Sequence, residues 1–339
     1  MSHQQTRYSI LDLAPVRAGG TVGETLHNTL DVARHAEEWG YTRYWLAEHH
    51  NMPGIASAAT SVLIGYVAGG TSRIRVGSGG IMLPNHPSLV IAEQFGTLES
   101  LYPGRIDLGL GRAPGSDGLT MRALRRGIVE SEEDFPRQVS ELLELLGPEQ
   151  AGKRLRAFPG QGTQVPIWLL GSSTFSAQLA AKLGLPFAFA SHFAPALLEE
   201  AIHVYRRNFQ PSANLEKPYV MAGVPVVAAE TDEQARYLAT TPQQRVLSLM
   251  RGGPIFLQPP VESMEGRWSE AERWMVESKL GVMITGGPET VRRKLEEFVA
   301  YAGLDEVMFV CDLYEHAHRL RSLEIVAAVM NSTVGAGTR

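Results

Sequence analysis

The stretch IRVGSGGIMLP, residues 74–84, sets a β-branched apolar run directly against a glycine pair, Gly79-Gly80. Two consecutive positions without side chains permit backbone angles closed to other residues, or let a flat ligand lie on the bare chain. They equally suit a β-bulge or a tight turn. An amphipathic helix follows, with Pro87 in its first turn and Leu89, Ala92, Phe95, Leu98 and Leu101 on one stripe. Strand, small or polar turn, helix is the unit this stretch defines.

The same unit recurs on both sides. Upstream, residues 8–13 read as a first strand closed by Pro15. Residues 24–39 read as a helix with Leu26, Leu30, Ala33 and Ala36 at helical spacing, stopped by Gly40. Residues 43–47 form a second strand running into Glu48-His49-His50, and 58–68 a mostly apolar helix. Downstream, Tyr102-Pro103-Gly104 turns the chain into a strand at 105–110, which ends at Gly111-Arg112-Ala113-Pro114-Gly115. A helix at 133–146, a basic connector at 147–164 and a strand at 165–170 lead to Gly171-Ser172-Ser173. Helix 173–183, strand 187–190, helix 195–209 and strand 219–229 continue the alternation, which breaks down from 240 to about 280. It resumes with a helix at 289–300, a strand at 306–310 and a last helix reaching Met330.

Strands separated throughout by helices predict an α/β protein with a parallel sheet. Eight such units, with no early Gly-x-Gly-x-x-Gly, favour a closed (β/α)8 TIM barrel over an open doubly wound sheet. The expected organisation is one domain, 1–339, with an irregular insertion or lid at about 240–280 after strand seven. All strand C-terminal ends of such a barrel open on one face. Glu48-His49-His50, Gly77-Ser78-Gly79-Gly80, Arg112 and Gly171-Ser172-Ser173 therefore converge on one mouth.

Composition narrows the setting. The net charge of -5 is spread over both signs, so neither nucleic acid nor an anionic membrane is an expected partner. No apolar run reaches the length of a membrane span, and MSHQQTRYSILDLAP carries no apolar leader core. Cys311, the one cysteine of the sequence, forms no internal disulfide and fits a reducing compartment, so a cytoplasmic location is expected.

Each motif has two readings on its own. The turn Gly171-Ser172-Ser173-Thr174-Phe175-Ser176 offers free amides and hydroxyls to a phosphate at a positive helix end, or is an ordinary cap with Ser173 bonding near Ser176. Arg112, between the small Gly111 and Ala113, can reach the mouth and bind phosphate, or pair with a surface acid. Adjacent His49 and His50 diverge on extended backbone, so Glu48-His49-His50 is a poor metal grip; His86 and His192 are only loose further ligands, and no metal is expected. An imidazole there serves as a proton donor or acceptor, or as a hydrogen-bonded structural group. Met264, Trp268 and Trp274 are either an apolar lid or the core of a satellite insertion.

Together, YWLAEHH at 44–50, IRVGSGGIMLPNHP at 74–87, AEQFGTLESLYPGRIDLGLGRAPG at 92–115, WLLGSSTFSAQLAAKLGLPFAFASHF at 168–193 and TGGPETVRRKL at 285–295 resemble the bacterial luciferase-like flavin monooxygenases. The likeness is to the small single-component members. It implies a barrel enzyme using reduced FMN, supplied by a separate flavin reductase, and dioxygen to oxygenate a small organic substrate, often as a homodimer. It further implies a non-proline cis peptide at Gly79-Gly80 against the flavin ring and His49 as the active-site histidine, with Glu48 beside it in the pocket. Arg112 and the turn of Gly171, Ser172, Ser173 and Ser176 would hold the FMN phosphate. Gly111 stands where luciferase has a reactive cysteine, which argues against light emission, and Ser172 where it has an acid.

Rival readings are an F420-dependent hydride-transfer oxidoreductase on the same barrel, a flavin-binding protein without turnover, and a metal-dependent hydrolase. F420 carries an acidic tail that favours a basic groove, and the sequence offers only the cluster Lys153, Arg154 and Arg156. No paired His-x-His ligands for a hydrolase stand at a strand end. Substrate choice is expected from Asn85, His192, Phe193 and the late insertion.

Overall fold

Eight parallel strands close on themselves. In chain order the strands are β1 (Arg7–Asp12), β2 (Arg43–Leu46), β3 (Arg75–Met82), β4 (Ile106–Gly111), β5 (Ile167–Gly171), β6 (Phe187–Phe189), β7 (Val220–Ala228), β8 (Ile284–Gly286) and β9 (Glu306–Val310). β1 to β7 pair in sequence order, and β9 closes the ring between β7 and β1. The closing registers are Met221 on Glu306 and Arg7 on Glu306. These eight are the strands the sequence predicts. β8, not anticipated, pairs only with the far end of β7 at Val226–Ala228 and lies outside the ring. The computed structural model describes residues 6–113, 118–124, 134–149 and 152–332. Pro114, Gly115, Glu133, both chain ends and part of the 147–164 connector lie outside them.

The helices are α1 (Val22–Trp39), α2 (Thr60–Gly69), α3 (Ser88–Leu101), α4 (Gly118–Leu124), α5 (Phe135–Leu146), α6 (Thr174–Leu183), α7 (Leu198–Asn208), α8 (Asp232–Leu238), α9 (Thr240–Met250), α10 (Glu270–Lys279), α11 (Pro288–Ala302) and α12 (His316–Ser332). α1 shows how the sequence places them. Thr21 caps its start by accepting from the Glu24 amide at 3.1 Å, and Gly40 ends it in the left-handed region at φ 87°. Its buried Val32, Ala33 and Ala36 then join the layer between helices and strands. Full burial of Phe95, Phe135, Tyr205 and Leu46 in that layer contributes roughly 1.5–3 kcal/mol per large side chain.

The segment 240–280 is less irregular than its sequence implies. α9 and α10 occupy its two ends and meet through a small core of Leu247, Met264 and Val276, with Trp268 packed on it. Met264 and Trp268 thus follow the satellite-core reading, while Trp274 is 71% exposed.

The end of the barrel opposite the mouth is plugged. Arg43 donates to Asp107 at 2.7 Å and to both oxygens of Glu306 at 2.8 and 3.1 Å, with the Trp168 ring 4.6 Å away. Trp45 Nε1 adds a bond to Asp107 and the Tyr219 hydroxyl one to Glu306. Above this network sits an apolar layer of Leu11, Trp45, Trp168, Ala188, Met221 and Met308.

Candidate active site

That apolar layer is the floor of a cavity of about 970 Å³ at the strand C-terminal ends. One wall is bare backbone. The Gly79–Gly80 peptide is cis, and the β3–β4 register shifts between Ser78 and Ile81. A Cβ on Gly79 would come within 2.6 Å of Leu11 Cδ1, and one on Gly80 within 2.7 Å of the Gly109 carbonyl oxygen. The register shift is the bulge the sequence allows, and both glycines line the cavity.

Another wall is the turn into α6. Gly171, Ser172, Ser173 and Ser176 all line the cavity. Ser173 occupies the cap position of α6, but its side chain makes no capping bond, so the ordinary-cap reading is not realised. A Cβ on Gly171 would collide with Ser176 at 2.6 Å; glycine is what lets the turn fold onto the helix. Arg112, just past β4, rests its guanidinium 4.3 Å over the Phe175 ring and lines the same wall. Four polar side chains, Arg112 after β4, Ser172 and Ser173 after β5 and Ser176 in the first turn of α6, thus line one cavity.

His49 lines the cavity as well. Its Nδ1 is buried without a hydrogen-bond partner, and burial, helped by the charge of Arg245, pushes its pKa down to about 4. His192 lies beside it with its ring 4.1 Å from Phe193, and burial pushes it to about 4 too. Both imidazoles are therefore neutral at pH 7; His192 already donates to the Gly223 backbone, while His49 keeps Nδ1 without a partner.

Glu48 departs from the expectation that it shares the pocket. It lines neither cavity described in this section. Neighbouring residues on extended chain point to opposite sides, so once His49 faces in, Glu48 faces a separate cluster. There it accepts from His50 Nε2 at 2.7 Å, His86 Nε2 at 2.8 Å and the Met82 amide at 3.1 Å. Burial raises its pKa, but these bonds outweigh that and hold it at about 2. The Glu48, His50 and His86 ligand atoms lie within 4.8 Å of one another, a donor set a divalent metal can use. Here both Nε2 atoms are engaged by one Glu48 oxygen.

A second cavity, of about 960 Å³, adjoins the first and shares Leu13, His49, His192 and Phe193 with it. Its other walls come from the ends of β7 and β9, from Met52 and Ile55, and from Pro242, Arg245, Val246 and Leu249 of α9. Of the expected specificity residues, His192 and Phe193 stand on the boundary between the cavities; Asn85 is buried and lines neither. Arg245 and Asp312, ion-paired on this wall, were not anticipated. Asp312 had a signal, since it lies just beyond the C-terminal end of a barrel strand. Arg245 had none, being a lone cation in a helix without a start signal.

The sequence profile of luciferase-like monooxygenases matches residues 6–306. The chain belongs to that family. As a family member it is an oxidoreductase enzyme. A luciferase-like monooxygenase of Escherichia coli K12 is 50% identical over 335 residues, covering 99% of this chain and 100% of its own. The N-acetyl-S-alkylcysteine monooxygenase of Bacillus subtilis is 40% identical over 235 residues, 68% of this chain and 70% of its own. Among solved structures, apo-MsnO8 superposes with a TM-score of 0.86 at 33% identity, over 96% of this chain and 98% of that one. Below 25% identity the fold alone is shared, with a Pseudomonas putida diketocamphane monooxygenase in complex with FMN (16%, TM-score 0.70, 96% and 97% coverage) and an F420-dependent secondary alcohol dehydrogenase (13%, 0.64, 96% and 99%). Among the described residues of this monooxygenase-family chain no helix is long and apolar enough to cross a membrane.

Proposed function

We propose that this family member is a monooxygenase that binds reduced FMN in the first cavity and uses dioxygen to oxygenate a small organic substrate. The observation that carries the reading is one cavity with a phosphate-grade end and a bare glycine wall over an apolar floor. Arg112, Ser172, Ser173 and Ser176 supply donors to a phosphate beside the α6 N-terminus, where the helix dipole favours an anion. The Gly79–Gly80 backbone supplies a surface that a planar ring can approach without meeting a side chain.

Bound FMN would supply electron transfer and oxygen activation. The chain's own part is to position, to exclude water and to move a proton. Leu11, Trp45, Met221 and Met308 keep the floor dry. His49, neutral and with Nδ1 unpartnered, gives or takes a proton at the boundary of the two cavities. Glu48 positions the loop that carries His49 by tying His50 to His86 and Met82. In this reading residues 1–339 act as one unit, 240–280 cover the substrate side, and a separate reductase reduces the flavin of a homodimeric, cytoplasmic enzyme.

F420 is less well supported. Lys153 is ion-paired with Glu144 and Arg156 with Glu149, and neither these nor Arg154 line the cavity, so they offer no groove for an acidic tail. The test is anaerobic titration with reduced FMN, with reduced F420 in parallel. Reduced FMN should bind, and Arg112→Met should weaken it roughly tenfold or more. His49→Asn should leave FMN affinity intact and lower substrate-dependent oxygen uptake by about 10²–10⁴-fold. Binding of F420 and not FMN overturns the proposal. An N-acetyl-S-alkylcysteine, the compound class in the name of the Bacillus relative, is the first substrate to try.

A further inference from the structure

The second cavity is apolar on most of its walls: Leu13, Met52, Ile55, Val226, Val246 and Leu249 are typical. One ion pair interrupts them, Arg245 Nη1 donating to Asp312 Oδ2. Arg245 is only 8% exposed. A pair buried to this degree contributes little stability beyond what well-packed apolar side chains of the same volume would give. A charged pair on the wall of an apolar cavity is placed to meet a ligand.

The guanidinium shows what that ligand is. Nη1 is engaged by Asp312, while Nε and Nη2 make no hydrogen bond to the protein and are not sealed away from the cavity. That Nε–Nη2 edge is the side of arginine that matches a carboxylate with two parallel bonds. Elsewhere in this molecule the same edge holds a carboxylate four times: Arg17 on Glu24, Arg43 on Glu306, Arg75 on Asp107 and Arg251 on Glu272. At Arg245, on the wall of the second cavity, that edge holds no acidic side chain. Arg245 is close enough to His49 to disfavour its charged form, so an anion held there lies beside the boundary between the two cavities.

We propose that the second cavity seats the substrate, that Arg245 binds its carboxylate, and that the substrate is a small organic acid with an apolar body. This rests on the monooxygenase reading for the identity of the cavity as a substrate seat. Asp312 holds Nη1 and sets the orientation of the fork, and it also weakens the pull on a second anion.

The test uses a matched pair, N-acetyl-S-benzylcysteine and its methyl ester, titrated calorimetrically under anaerobic conditions into the full chain with and without reduced FMN. The acid should bind roughly tenfold or more tighter than the ester, the value of a charge-assisted bond. Arg245→Gln should erase that preference, and Arg245→Lys should restore part of it. Asp312→Asn should tighten the acid and leave the ester unchanged, whereas a merely structural pair would lose affinity for both. FMN affinity reports folding in each variant. Equal affinity of acid and ester, a preference that survives Arg245→Gln, or binding of neither overturns the proposal. Failure of FMN to bind overturns the cofactor reading instead, and the flavin-free comparison still decides this one.

Discussion

The two cavities share one barrel mouth but are built by different means. The first is made from strand ends: His49 after β2, Gly79 and Gly80 within β3, Arg112 after β4, Gly171 to Ser173 after β5, and His192 after β6. The second borrows a wall from α9, a helix inserted between β7 and the last barrel strand. Strand ends are fixed in position by the barrel itself, so their chemistry follows from topology. An inserted helix is placed by its own contacts, here the packing on α10 through Leu247, Met264 and Val276 and the Arg245–Asp312 ion pair.

The largest expected effect tests the rigidity of the first half. A Cβ on Gly109 of β4 would press directly on the Ser78 carbonyl of β3, so the two strands must part. Gly109→Ala should cost about 3 kcal/mol or more, seen as a lowered urea midpoint, and should lose FMN binding with it. The matching change on the substrate side is Gly252→Ala, where φ is 71° and nothing lies within 4 Å. It should cost about 1 kcal/mol, the strain of a left-handed alanine, with FMN affinity unchanged. Similar losses at the two sites would erase the distinction between the halves.

That distinction also explains what could be read from the sequence. All eight ring strands, the cis Gly79–Gly80 peptide expected by resemblance, and the gathering of His49, Arg112 and the Ser172–Ser173 turn were legible, because each belongs to a strand–turn–helix unit. α9 was not, because its cap position is Ala239, which offers no capping side chain. α10 does carry a full capping box, Ser269 with Glu272, a start signal that was present and passed over among the surrounding prolines and glycines. Glu48 misled for a different reason: adjacency in sequence suggests a shared pocket, while extended backbone sends neighbours apart.

The boundary between the halves should respond to acid. Unfolded, His49 and His192 take up a proton near pH 6.5; folded, they do so only near 4. Between those values the unfolded chain binds more protons, so stability falls as pH drops from 6.5 to 4, by up to about 3 kcal/mol for either group alone. The two disfavour each other's charge, so removing one lessens the effect of the other. His49→Asn should flatten part of that slope in urea melts. Glu48 works in a lower window: its folded pKa is about 2 against an ordinary 4.5, so its stabilisation persists above 4.5 and is lost as pH falls toward 2. A slope below 4.5 that survives His49→Asn but shrinks in Glu48→Gln separates the two clusters.

The most local effect concerns the hold on α9. Met264 is buried between α9 and α10 and lines neither cavity, so it acts on the second one only by keeping Arg245, Val246 and Leu249 in place. Met264→Ala removes a buried side chain from a small core and should cost about 2 kcal/mol locally. Because the barrel strands do not depend on that core, the loss should appear as faster amide exchange confined to α9 and α10 rather than as global unfolding. Substrate KM should rise with FMN affinity unchanged, the reverse of what Arg112→Met should do. If Met264→Ala weakens FMN as much as substrate, the two halves of the mouth are one mechanical unit, and the insertion supports the flavin side as directly as the strand ends do.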